Sequence, residues 1–134
     1  MTIRSGPAAA AWALAAVLAL PAIVARPVPA AAHAIVLESS PVHDATLARS
    51  PERVLLRFNS KIEKRLTRVT LAAGQSVPVP APIATAGADA EAPDRLVIPL
   101  GPLPPGVYVL RYKVLAVDGH ITEGALRFRV SPDQ

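Results

Sequence analysis

Cysteine is absent from the chain. That excludes a disulfide framework, so an apolar core must hold the fold, and it excludes a lipoprotein anchor. Methionine occurs once, as Met1. Aromatic residues are scarce, at 4%. Beyond residue 32 they are Phe58, Tyr108, Tyr112 and Phe128, each set in an apolar alternation that suits a core. With so few rings and scattered cations, a nucleic-acid surface is excluded. No carboxylate precedes Glu38 and no Arg-Arg pair stands near the start. The latter argues against the twin-arginine route. There is no internal repeat and no stretch of helical periodicity.

What the chain does have, at its start, is an export pattern. Arg4 is followed by an apolar run from Ala8 to Leu20, extended past Pro21 to Ala25. The small residues Ala30-Ala31-Ala32 then form an A-x-A cleavage pattern. The run is only marginally long for an uncleaved anchor, and Pro21, Pro27 and Pro29 interrupt it. The expectation is a signal peptide over residues 1–32, cleaved after Ala32. The mature chain, 33–134, then has 102 residues of the 134 and begins at His33. That length makes one domain with one core. Removing Arg4 and Arg26 lowers the formal charge from +4 to +2. The densest cations are Lys61, Lys64, Arg65 and Arg68, which read as a solvated face before they read as a patch for anions.

The mature chain reads as strands. Ile35 and Leu37 alternate with Ala34, Val36 and Glu38 in a first strand with one buried face. Thr46 to Pro51 reads as a loop or short turn. Glu52 to Phe58 points Val54, Leu56 and Phe58 inward, and Leu66 to Leu71 puts Val69 and Leu71 on one face. Gly74 to Pro93 is rich in Ala, Pro and Gly and holds at most one weak strand near Ser76–Val79. Arg95 to Leu100 buries Leu96, Ile98 and Leu100. After a Pro- and Gly-rich turn at 101–106, Val107 to Val117 buries Tyr108, Leu110, Tyr112 and Val114. Ala125 to Val130 closes the domain with Leu126, Phe128 and Val130 inward. Short strands separated by turn signals predict an all-β, antiparallel sandwich or barrel.

Two groups of polar residues stand out. Asp118-Gly119-His120 sets a carboxylate and an imidazole two residues apart. In an extended chain they share a face. Taken alone, the pair reads first as a polar turn between strands. The other is His33, which a cut after Ala32 would make the first residue. His43 lies in the turn-like Pro41-Val42-His43-Asp44 and reads as an exposed turn histidine rather than a ligand. Glu123, three residues past His120, reads as exposed rather than as a carboxylate orienting that imidazole.

The mature start His33-Ala34-Ile35-Val36-Leu37-Glu38-Ser39-Ser40-Pro41 resembles the opening of the copper-resistance CopC family. So does Leu103-Pro104-Pro105-Gly106-Val107-Tyr108-Val109-Leu110-Arg111-Tyr112, leading to Asp118-Gly119-His120, Gly124 and Phe128. The resemblance spans nearly all of the mature chain and is weak between Gly74 and Pro93. It implies a periplasmic copper-binding β-sandwich of Greek-key type, immunoglobulin-like or cupredoxin-like, with no catalytic reaction. It further implies that Cu(II) is held by His33, Asp118 and His120 and is handed to an inner-membrane transporter of the CopD type; the ligand count gives one ion per chain, and the chain is expected to be a monomer. Two departures stand out. Asn59, Ser60 and Lys61 follow Phe58 where the family often has an acidic residue and proline. Loss of Met1 with the signal leaves no thioether for the Cu(I) site some members carry.

Donor chemistry agrees with the implied set. A free N-terminal histidine offers its α-amine and Nδ1, which close a six-membered chelate ring. An α-amine has a pKa of only ~8, so a strong Lewis acid displaces its proton near neutral pH. Adding one imidazole and one carboxylate gives three nitrogens and an oxygen, a set that suits tetragonal Cu(II); Zn(II) prefers a tetrahedron. Two other classes of function remain open from the residues alone: a secreted histidine-brace copper oxidase, and a metal-free immunoglobulin-like interaction module.

Overall fold

Among the described residues, eight strands form two sheets. The computed structural model describes residues 34–132, with Thr2 and Ile3; the expected cleavage site and His33 lie outside the described residues. The strands are β1 (Val36–Ser40), β2 (Ala45–Leu47), β3 (Arg53–Phe58), β4 (Arg68–Ala73), β5 (Val79–Pro80), β6 (Arg95–Pro99), β7 (Gly106–Leu115) and β8 (Ile121–Val130). One sheet has the order β1-β3-β6 and the other β2-β8-β7-β4-β5. Pairing is antiparallel except between β2 and β8, which run parallel. Among the described residues no helix is long and apolar enough to cross a membrane.

The two-residue apolar period builds the interior. Val54, Leu56 and Phe58 of β3 and Leu96 and Ile98 of β6 face Leu110 and Val114 of β7 and Leu126, Phe128 and Val130 of β8 in one buried cluster. Fully burying side chains of this size contributes about 1.5–3 kcal/mol each. Phe58 meets the ring of Tyr112 edge-on at 5.8 Å, tying one sheet to the other, and Tyr108 stacks on Phe128 at 5.6 Å. A Cβ on Gly124, directly across from Tyr112, would collide with the Tyr112 phenol, so the glycine makes room for that ring.

Several local expectations change. In the first strand Ala34 is buried and Val36 packs on the core, whereas Ile35 and Leu37 are exposed. Both faces of that stretch are apolar, so pattern alone does not set its phase. The register with β3, shifted between Val36 and Glu38, does. β2 forms where a loop was expected, because parallel pairing with β8 supplies its hydrogen bonds. The weak strand in the Ala/Pro/Gly-rich segment shortens to Val79–Pro80. One helical turn, α1 (Ala88–Glu91), follows it; Ala90 is buried and Asp89 bonds to Arg95 and Arg53. Four residues are too few to show a helical period.

Candidate metal centre

The β7–β8 hairpin closes in a tight turn that carries Asp118 and His120. Ala116 N–H donates to His120 O at 2.8 Å, and Gly119 N–H donates to Ala116 O at 2.9 Å. Gly119 sits at φ +91°, a conformation L side chains rarely adopt, which is why glycine stands there. The Asp118 carboxylate folds back over this turn. Its Oδ1 accepts the His120 backbone N–H at 3.0 Å, and its Oδ2 lies 3.1 Å from His120 Nδ1. The backbone N–H of His120 is the main cause that holds the Asp118 carboxyl below its ordinary pKa, aided by the imidazole. The carboxylate is therefore ionised and able to orient an imidazole or to meet a cation.

The two side chains meet, but not by the route an extended chain predicts. The pair sits in a polar turn between strands, and the turn, rather than the alternation of an extended strand, brings the two side chains into contact. They remain open to solvent, at 44% and 36% exposure for His120 and Asp118. With Nδ1 held by Asp118, the ring is oriented so that Nε2 is the nitrogen turned away from the carboxylate, the usual arrangement of a carboxylate-supported metal imidazole. Among the described residues, no cluster of three or more His, Asp or Glu side chains forms a metal group. Asp118 and His120 are two donors that need others from elsewhere.

The segment 59–62 links this turn to the start of the described chain. Asn59 N–H donates to Ile35 O at 2.9 Å, and Ile35 N–H donates back to Asn59 Oδ1 at 2.8 Å. Two residues on, Lys61 O accepts the Val117 N–H at 3.1 Å, and Ile62 bridges Ala116. Ala34, Ile62 and Ala116 all join the buried cluster. One short stretch therefore grips both the chain just after His33 and the loop holding Asp118 and His120. Sequence reading registered Asn59 only as a departure after Phe58; its pairing with Ile35, 24 positions away, has no local signature.

The remaining candidates lie apart from this turn. His43 Nδ1 accepts the Arg127 N–H at 3.1 Å, and its ring contacts Asp44 at 3.4 Å. Arg127 is seven positions along the chain from His120 on the extended β8, which separates the two by roughly 20 Å. His43 therefore does not share the Asp118–His120 site. Glu123 pairs across the hairpin with Lys113 at 3.1 Å and is 69% exposed. In the basic cluster, Lys64 turns inward. Its Nζ donates to the carbonyls of Ala90 and Ala92, and burial lowers its pKa.

Comparison with known proteins bears on this arrangement. Residues 36–131 match the family model of the CopC domain. The copper resistance protein C of Xanthomonas campestris pv. juglandis is 31% identical over 103 residues, covering 74% of this chain and 80% of that protein. The crystal structure of CopC from Methylosinus trichosporium OB3b superposes with a TM-score of 0.66 at 30% identity, covering 76% of this chain and 97% of that one. PcoC, a methionine-rich copper resistance protein from Escherichia coli, superposes at 0.58 with 27% identity, over 75% of this chain and all of that one. The richness in methionine is not shared, since Met1 is the single methionine here. A two-sheet β-sandwich, a domain match from β1 to the end of β8 and a hairpin turn carrying Asp-Gly-His agree with one another, and the chain belongs to the CopC family.

Proposed function

We propose that the mature protein is a periplasmic Cu(II) carrier and buffer that binds one copper per chain, as a monomer, and catalyses no reaction. Copper is its cargo. The donors are the α-amine and Nδ1 of His33, an imidazole nitrogen of His120 and, more weakly, a carboxylate oxygen of Asp118. The observation that carries this reading is the solvent-open Asp118–His120 pair, held by residues 59–62 to the chain immediately after His33. An exposed site on a hairpin tip suits transfer by ligand exchange to an inner-membrane transporter of the CopD type. A mature chain of about 100 residues with its metal donors on a tip leaves little surface for a polymeric substrate, which argues against the oxidase.

The test is whether processing creates the site. One alanine placed ahead of His33 keeps every side chain but turns the His33 amine into an amide, without a basic lone pair. Cu(II) affinity should fall at least ~10-fold, the scale of losing a supporting group at a metal site. The tetragonal, nitrogen-rich paramagnetic resonance spectrum should also change, and intact mass with copper should give one ion per native-start chain. Equal affinity and an identical spectrum for the two proteins would remove His33 from the site.

A further inference from the structure

The outward face of the five-stranded sheet is a separate, charged surface. It carries Arg68 of β4, Arg111 and Lys113 of β7, and Arg127 and Arg129 of β8, all exposed. Registers place Arg68 beside Lys113, and Arg127 and Arg129 beside Val109 and Val107. Two carboxylates reach this face: Glu123 holds Lys113 at 3.1 Å and Asp44 holds Arg127 at 2.5 Å. Among the described residues Arg68, Arg111 and Arg129 have no carboxylate partner. On the three-stranded sheet the arginines are matched: Arg57 with Glu38, and Arg53 and Arg95 with Asp89. Among the arginines of the strands, the unmatched ones therefore all lie on this side of the sandwich.

This face is not flat. A shallow depression of about 430 Å³ lies among Arg68, Thr70, Arg111, Lys113 and Glu123. A second, of about 440 Å³, lies among Asp44, Thr46, Arg127 and Arg129. The two follow one another along the β7–β8 ribbon, over roughly 20 Å of strand. We propose that this face docks an extended acidic segment of a partner polypeptide, its carboxylates seated in the two depressions. Guanidinium forks can bind carboxylates bidentately, and two cations of this face already hold one carboxylate each, Lys113 that of Glu123 and Arg127 that of Asp44. A bilayer is the poorer fit: Val107 and Val109, in the middle of the face, are half-buried and offer nothing to insert.

The experiment is an amide-shift titration of the copper-free mature protein with a decaglutamate peptide at low and at raised salt. Shifts should concentrate on Arg68, Thr70, Arg111, Arg127 and Arg129, and binding should weaken as salt rises. The triple variant Arg68→Gln/Arg111→Gln/Arg129→Gln should weaken binding at least ~10-fold, three charge-assisted contacts being lost. Single Arg111→Gln should weaken it less, and Arg53→Gln, a neutralised cation on the three-stranded sheet, should leave it unchanged. Unfolding curves confirm that each variant is folded. Unaltered affinity in the triple variant, or shifts spread over every cation, would overturn the proposal. So would binding to phosphatidylglycerol vesicles without binding to the peptide.

Discussion

Asn59→Ala isolates one contact on which the proposed site depends. The substitution deletes the Oδ1 that accepts the Ile35 N–H at 2.8 Å, and leaves the return bond from Asn59 N–H to Ile35 O intact. Both groups are solvent-exposed, so water partly replaces the lost partner. The net contribution then falls at the lower end of the usual range, about 0.5–1 kcal/mol. If His33 must be held against Asp118 and His120 to close the copper site, the same free energy appears in binding. At about 1.4 kcal/mol per tenfold, Cu(II) affinity should fall roughly two- to fivefold. Competition against a chelator of known affinity measures this, and hydrogen exchange at the Ile35 amide reports the lost bond separately. Asn59→Asp keeps an acceptor at the position and should exchange slowly at Ile35. Accelerated exchange at Ile35 with unchanged copper affinity would refute the reasoning, because it would mean the start of the domain can loosen without disturbing the donors.

Further outcomes follow from the same geometry. Gly124→Ala places a methyl group on the Tyr112 phenol, and displacing that ring from Phe58 should cost about 1–3 kcal/mol, seen as a lower urea midpoint; adding Tyr112→Leu should recover part of the loss. His120→Ala should lower copper affinity with the unfolding curve nearly unchanged, whereas His43→Ala, at the other end of β8, should leave copper affinity as it is. The carboxyls of Asp89, Glu38 and Asp44 are held below their ordinary pKa, chiefly by hydrogen bonds from Arg95, Arg57 and Arg127 respectively. A folded-state pKa below the unfolded one stabilises at pH above the unfolded value, near ~4, and that contribution is lost as pH falls through the lowered folded value. Urea midpoints should therefore drop below about pH 4, and Asp89→Asn should flatten the fall.

The strands that build the core were legible because a two-residue period needs only local sequence. Leu126, Phe128 and Val130 alternate with Arg127 and Arg129, Val54, Leu56 and Phe58 have Arg53 and Arg57 on the opposite phase, and one face is buried in each case. Legibility failed where both phases were apolar, as at Ala34–Leu37, and where pairing partners alone make the element, as for β2 and its parallel rungs with β8. At the candidate site, residue types and spacing identified Asp118 and His120, while an extended-chain argument gave the wrong cause for their meeting. A turn with Gly119 at positive φ is what folds the carboxylate onto the ring. Asn59 and Lys61 escaped notice because their contacts, with Ile35 and Val117, are made by tertiary structure.

The two halves of the proposed site are held with unequal firmness. Asp118 and His120 sit at the tip of a ribbon whose strands pair at every position from Gly106–Val130 to Leu115–Ile121. Alternate rungs point their side chains into the core, so the tip is carried on a stiff support. The chain after His33 enters through β1, which has a register shift between Val36 and Glu38 and exposes Ile35 and Leu37. Its grip on residues 59–62 is the pair of hydrogen bonds to Asn59 and the packing of Ala34 in the cluster that holds Ile62. On the proposed reading, copper is bound between a rigid jaw and a looser one. Ligand exchange needs one donor to leave while others retain the ion, and the weaker attachment identifies the N-terminal side as the one that opens. The same asymmetry explains why a carboxylate is placed against His120 on the stiff side. On the proposed reading it keeps the retained imidazole oriented while an incoming partner replaces the donors opposite.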